Sequence, residues 1–143
     1  MSCSPAVHFR WLFALLGLLG ATLGRTDDFL PVKSAFKPAA SIVGGQLAVR
    51  FEIAPGYYLY RDRFAFESET AGVTVGAPSF PVGLDHEDEF FGTQVIYRGT
   101  TVVGAPLSFD GEPRAFDLRL KLQGFADGGL FYQPQTWVVP VSV

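Results

Sequence analysis

Two stretches of the chain alternate strictly between apolar and polar side chains. Phe116, Leu118, Leu120 and Leu122 interleave with Asp117, Arg119, Lys121 and Gln123. Leu47, Val49, Phe51 and Ile53 interleave with Ala48, Arg50 and Glu52. A period of two puts one set on a buried face and the other in water, so both stretches read as strands. After the first of them, Asp127-Gly128-Gly129 supplies residues that tolerate positive φ. The chain is therefore expected to reverse there as a hairpin, returning through Leu130-Phe131-Tyr132, with Phe125 and Phe131 at its two shoulders.

The remaining elements follow from shorter signals. Asp28 to Phe36 is an entry segment, and Lys37-Pro38 is expected to break it. Pro55-Gly56 marks a turn into the extended aromatic run Tyr57-Tyr58-Leu59-Tyr60, which Phe64 to Phe66 is expected to continue. Val73 to Val75 is a short strand, and Ala77 to Gly83, rich in Pro and Gly, is a long loop. The acidic run 85–89 (Asp-His-Glu-Asp-Glu), closed by Phe90-Phe91-Gly92, reads as a solvated loop. Gln94 to Arg98, Thr100 to Val103 and Pro106 to Phe109 read as three further extended runs, and Asp110-Gly111-Glu112-Pro113 as a turn. A final run covers Trp137 to Val141. About eight short strands at regular spacing, without helical periodicity, predict an all-β fold, an antiparallel sandwich of immunoglobulin-like kind.

Composition sharpens this picture. With 143 residues, 48% hydrophobic and 15% aromatic, the chain is one domain with enough apolar surface for a core. Sixteen Gly and ten Pro agree with many turns. Residues 1–24 read as a secretory signal peptide: Arg10 ends a short n-region, Trp11 to Leu19 is apolar, and Ala21 to Gly24 offers small residues for cleavage. The rival, an uncleaved membrane anchor, would need a longer apolar run. The domain then spans 25–143, is exported to the periplasm and carries no membrane span. The formal charge of −3 becomes about −4 without the leader and gives no sign of nucleic-acid binding.

Chemistry is limited by what is missing. The one cysteine, Cys3, precedes the apolar run, so the mature domain is expected to have neither a disulfide nor a thiol. His86 is the one histidine after the leader, which leaves no base for a Ser or Thr nucleophile. Contiguous acidic residues around His86 rarely converge on an ion, so neither a metal nor another cofactor is expected. Nothing singles out two carboxylates for sugar chemistry.

The run QGFADGGLFYQPQT resembles the active-site segment of the N-terminal periplasmic domain of the thiol:disulfide interchange protein DsbD, whose pattern is close to Q-G-C-A-D-x-G-x-C-Y-P-P-Q. Further matches occur in the same order: DFLPVKSAF from Asp28, GYYLYRDR from Gly56, AGVTVGAP from Ala71 and DEFFGTQVIYRG from Asp88. The resemblance implies the same immunoglobulin-like fold. It also implies that Phe125 and Phe131 stand where the family has its redox cysteines, and that Asp88 to Gly92 matches a cap loop, so that Phe90 or Phe91 covers the hairpin. Asp127 sits where the family has an aspartate between the cysteines, although its turn-forming role is enough to explain it.

A phenyl ring forms no thiolate, so thiol exchange, and enzymatic activity with it, is not expected of this chain. Binding remains. The expected surface comprises Tyr57, Tyr60, Asp88, Glu89, Phe90, Phe91, Asp127 and Tyr132 around Phe125 and Phe131. The tyrosines of the 57–60 run, Tyr57, Tyr58 and Tyr60, also have a plainer reading, as amphipathic cover for the core. Because the family's partners are thioredoxin-fold proteins docking at this hairpin, the resemblance implies periplasmic partners of that kind. With the chain ending at Val143, such a partner would be a separate protein. The alternatives are a domain turned to a small apolar ligand, or a structural envelope protein pairing through a sheet edge.

Overall fold

The protein, described by a computed structural model over residues 28–143, is a β-sandwich of immunoglobulin-like kind. The leader read at 1–24, with Cys3, lies outside the described residues. A single helical turn, α1 (Val32–Ala35), precedes twelve strands. These are β1 (Phe36–Val43), β2 (Gln46–Ile53), β3 (Tyr57–Tyr60), β4 (Ala65–Ser68), β5 (Val73–Val75) and β6 (Leu84–Asp88), followed by β7 (Gly92–Tyr97), β8 (Thr100–Phe109), β9 (Phe116–Leu122), β10 (Gly124–Ala126), β11 (Leu130–Phe131) and β12 (Gln135–Ser142).

One sheet has the order β4-β9-β12-β1-β2-β8-β5, the other β11-β10-β3-β7-β6. Strand pairing among the described residues is antiparallel except between β1 and β12, which run parallel through Ala40↔Val141 and Ser41↔Ser142. The two alternating stretches form β2 and β9 as expected, and Leu47, Val49, Phe51, Leu118, Leu120 and Leu122 are all at most 1% exposed. Each such side chain contributes roughly 2 kcal/mol by leaving water.

Four sequence expectations are corrected. Pro38 does not break the chain: β1 runs through it, paired to Phe51 on the β2 side. Its β12 register covers only Ala40 and Ser41, so the missing N–H falls where β1 is effectively an edge. Gly104-Ala105 does not divide β8 either. Gly104 is opposite Ala48 on one side and exchanges hydrogen bonds with Ser79 on the other, at 3.2 and 2.7 Å. Phe64 to Phe66 does not prolong β3, because a 3-10 turn at Arg61–Arg63 carries the chain across to β4 in the other sheet. The acidic run is not a loop. Residues 84–88 form β6, a hairpin with β7 at the edge of the smaller sheet. Its alternation is invisible to hydropathy because both faces are mostly polar.

All four residues of β3 are buried, which requires cover on both faces of the smaller sheet. Tyr57 and Leu59 point into the sandwich core, while Tyr58 and Tyr60 join Ile96 and Phe125 in a second, smaller core on the outer face. Close packing of β10 on this arrangement depends on Gly124. A Cβ there would run into the Phe36 ring and come within 2.6 Å of the Tyr58 carbonyl oxygen. Gly124→Ala is expected to cost about 3 kcal/mol by forcing backbone and ring apart, read as a lowered urea midpoint with unchanged slope.

Candidate functional site: a capped aromatic hairpin

Two short strands make the centre of the site. In the β10–β11 hairpin, Phe125 and Phe131 are direct cross-strand partners, with ring centroids 6.2 Å apart. Alternation puts both on the outer face, whereas Ala126 and Leu130 turn toward the sandwich core. Gly129, at φ 113°, permits the reversal, and its N–H donates to the Ala126 carbonyl at 2.8 Å.

The turn between β6 and β7 folds over this hairpin. Phe90 lies flat on Phe131, 4.8 Å between centroids and 13° between planes, and reaches Phe125 at 5.6 Å. Phe91 sits edge-on to Tyr60 at 5.3 Å and to Phe131 at 5.6 Å, with the Arg63 guanidinium 4.4 Å above its ring. Tyr58 stacks on Phe125 at 5.6 Å, and His86 packs on Tyr58 at 4.8 Å. Each well-placed ring pair is worth roughly 0.5–1.5 kcal/mol beyond burial. Phe125 is 8% exposed and Phe131 half-buried, while Phe90 keeps 52% of its surface in solvent. The cap thus shields the hairpin and replaces it at the surface.

Asp88 holds the cap in place. It is 4% exposed, and its carboxylate accepts four hydrogen bonds: at Oδ2 from the hydroxyls of Tyr58 (2.7 Å) and Tyr60 (2.5 Å), at Oδ1 from the amides of Phe90 (2.7 Å) and Phe91 (2.9 Å). Burial alone would raise its pKa, but the Tyr60 and Tyr58 hydroxyls and the two amides outweigh this and hold it below the ordinary carboxylate value. Burial first, and then the bond to Asp88, push the Tyr58 hydroxyl up to about 12 and raise that of Tyr60 further. The arrangement is a clamp that ties the cap to β3.

The hairpin tip has its own anchor. Arg98, just after β7, makes a bidentate pair with Asp127 at 2.9 Å on both arms and donates to the Tyr57 carbonyl at 3.3 Å. Its guanidinium also lies 5.1 Å from the Tyr58 ring. Because the pair is largely solvated, Arg98→Ala is expected to cost only about 0.5–1 kcal/mol globally. Local loosening is the sharper readout, as faster amide exchange at Asp127 to Gly129.

Of the residues singled out in the sequence, the structure brings together Tyr60, Asp88, Phe90, Phe91, Phe125 and Phe131, with exposed Glu89 at the tip of the cap and Asp127 on the hairpin turn. It separates Tyr57 and Tyr132 from them. Tyr57 is three residues from Tyr60 and so faces the opposite side of β3. Both tyrosines clamp the entry segment: Leu30 N–H donates to the Tyr57 hydroxyl at 2.8 Å, and the Tyr132 hydroxyl donates to the Leu30 carbonyl at 2.5 Å. Their rings meet Phe36 edge-on. Tyr57 thus covers the sandwich core, as its plainer reading has it, and Tyr132 packs against the same core. Tyr58 and Arg98 were missed. Period two from Tyr60 pointed to Tyr58, whereas nothing local in the sequence marks Arg98.

Among the described residues no group of three or more His, Cys, Asp or Glu side chains is placed to hold a metal ion, and no helix is long and apolar enough to cross a membrane.

Comparison with known proteins bears directly on this geometry. The family model described as thiol:disulfide interchange protein DsbD, N-terminal, matches residues 26–143. A DsbD of Pseudomonas fluorescens is 38% identical over 142 residues, covering 93% of this chain and 23% of the relative. DsbD 1 of Pseudomonas aeruginosa is 40% identical over 121 residues, covering 82% of this chain and 20% of the relative. The chain therefore spans about a fifth of the length of these relatives. Among solved structures, the reduced N-terminal domain of Neisseria meningitidis DsbD is similar with a TM-score of 0.73 and 33% identity, over 84% of this chain and 94% of that one. A structure of the complex between the DsbD N-terminal and PilB N-terminal domains of the same organism matches with a TM-score of 0.64 and 33% identity, over 79% of this chain and 87% of that one. On sequence and fold together, the chain belongs to the DsbD N-terminal domain family.

Proposed function

We propose that this domain is a periplasmic docking module that binds a thioredoxin-fold protein through its capped hairpin and carries out no thiol chemistry of its own. The observation that carries the reading is the pair of phenylalanines at the cross-strand positions of the hairpin, covered by a cap whose outermost ring, Phe90, is half in solvent. Exchange with a disulfide needs a thiolate, and residues 4–143 contain no cysteine to supply one. An exposed aromatic ring with a charged rim, here Glu89, Asp127 and Arg63, is the composition of an interface centre. The Neisseria complex of a DsbD N-terminal domain with another protein's domain supports partner binding by this fold.

The small-ligand alternative gains no support from the cleft beside Phe125. It measures about 230 Å³ and is lined by Glu87, Glu89 and Asp127 as well as by Tyr58 and His86. Pockets for small apolar ligands usually exceed about 300 Å³ and are mainly apolar.

Titration calorimetry against periplasmic thioredoxin-fold proteins of the source organism tests the reading. Because no mixed disulfide forms, affinity is expected to be unchanged when the partner's active-site cysteines are replaced by serine. Phe90→Ala is expected to weaken binding about ten-fold or more, since interface aromatics commonly carry 1–2 kcal/mol or above. Binding that requires the partner's cysteines, or that ignores Phe90→Ala, contradicts it.

A further inference from the structure

The smaller sheet ends at β6, and among the described residues no strand pairs with its outer side. A free edge is a template for another chain, and proteins usually hide or blunt it. Here the edge is left open along five residues with no proline or bulge, and exposed apolar side chains lie on it and beside it: Val82 at 99%, Leu84 at 54% and Phe80 at 37%. A groove of about 520 Å³ adjoins it, lined by Phe80, Pro81, Val82 and Val95 together with the charged Asp85 and Arg61.

The two faces of β6 differ in chemistry. Leu84, His86 and Asp88 share the cap face, as the contacts of His86 with Tyr58 and of Asp88 with Tyr58 and Tyr60 establish. Asp85 and Glu87 alternate to the other face, opposite Val95 and Thr93, and both are exposed; Asp85 lines the groove, while Glu87, farther along the edge, also borders the cleft beside Phe125. Glu87 accepts a hydrogen bond from Thr93 Oγ1. Of the cations on this side, Arg61 pairs with Asp62, Arg98 with Asp127, and Arg63 lies over the Phe91 ring. The edge therefore presents carboxylates on one face and an apolar side chain on the other.

We propose that β6 accepts an extended, basic segment of another protein as a sixth strand of this sheet. Side chains directly opposed across a strand pair interact, so the segment needs Lys or Arg at alternate positions, facing Asp85 and Glu87. The positions between them must be apolar, facing Leu84 and His86. A second copy of this chain is disfavoured as occupant, because an antiparallel β6 pair would set like charges against one another. The surface is distinct from the exposed face of Phe90, so the proposal does not rest on the docking function above.

The probe is an acetylated hexapeptide of alternating Lys and Val, added to the isotopically labelled chain and followed by amide shifts and hydrogen exchange. Expected are shifts and slowed exchange at Leu84 to Asp88, with binding weakened by salt. A peptide of the same composition with its lysines in one block, an alternating Glu and Val peptide, and an alternating Lys and Val peptide methylated on its pairing amides are each expected to bind at least about ten-fold more weakly. D85K/E87K is expected to abolish binding, the milder D85N/E87Q to weaken it, and Phe90→Ala to leave it unchanged. Equal binding of the block or methylated peptide would reduce the effect to unspecific charge attraction and overturn the proposal. So would an absence of change at the β6 amides.

Discussion

The double variant F125C/F131C is expected to form an intramolecular disulfide on oxidation. Directly opposed residues of an antiparallel pair have Cα atoms about 4.5–5.5 Å apart, inside the range that a disulfide bridges. Because Phe125 and Phe131 hold such a register, no backbone rearrangement is needed. The reduced variant pays for the lost rings: removing the buried Phe125 alone costs about 3–5 kcal/mol, and closing so short a loop on oxidation returns about 2 kcal/mol. Alkylation with a thiol-reactive mass tag reads the outcome. Two protected thiols in the folded variant under oxidising conditions, released by a reduced thioredoxin-fold protein, are the expected result. Free or intermolecularly linked thiols would show that these positions do not form a redox pair.

Asp88→Ala is expected to be the most damaging single change at the site. It leaves the buried Tyr58 and Tyr60 hydroxyls and the amides of Phe90 and Phe91 without their acceptor, at about 1–3 kcal/mol for each group that water does not reach. The cap should open, raising exchange across residues 88–92 and exposing Phe131. A pH dependence follows from the same contacts. The folded pKa of Asp88 is lowered, so its contribution is present above the unfolded value of about 4 and lost as pH falls through the folded one. The pKa values of Tyr58 and Tyr60 are raised, so theirs is present below about 10 and lost as pH climbs above it. Native cap protection should therefore show a plateau between these limits. Asp88→Ala should abolish its acid limb.

Much of the fold was legible because its strongest strands keep one face dry and one wet. β2 and β9 carry that alternation without a break, and Asp127-Gly128-Gly129 announces the hairpin between them and the end of the chain. β6 was not legible, since its alternation is between different polar groups and its burial comes from Asp88, a residue type that water normally keeps. The crossing from β3 to β4 was hidden for a related reason. Apolar residues on both sides of Arg61–Arg63 read as one run although they belong to different sheets. At the site, the resemblance of the segment from Asp88 to a family cap loop located Phe90 and Phe91. Tyr57 was grouped with Tyr60 because the three tyrosines of the 57–60 run read as one surface, when period two divides them, Tyr57 to the sandwich core and Tyr58 and Tyr60 to the cap. Arg98 reaches Asp127 only through the folded sheet, 29 residues away in sequence.

Photo-crosslinking in cells of the source organism tests the docking reading most directly, with the reactive residue at Phe90 and a control at Val102, an exposed apolar position on β8 of the other sheet. The account predicts that a thioredoxin-fold protein is captured from position 90 and not from 102, and that capture survives replacement of that protein's cysteines. Equal capture from both positions, or none from position 90, would contradict it and leave the capped hairpin as packing alone.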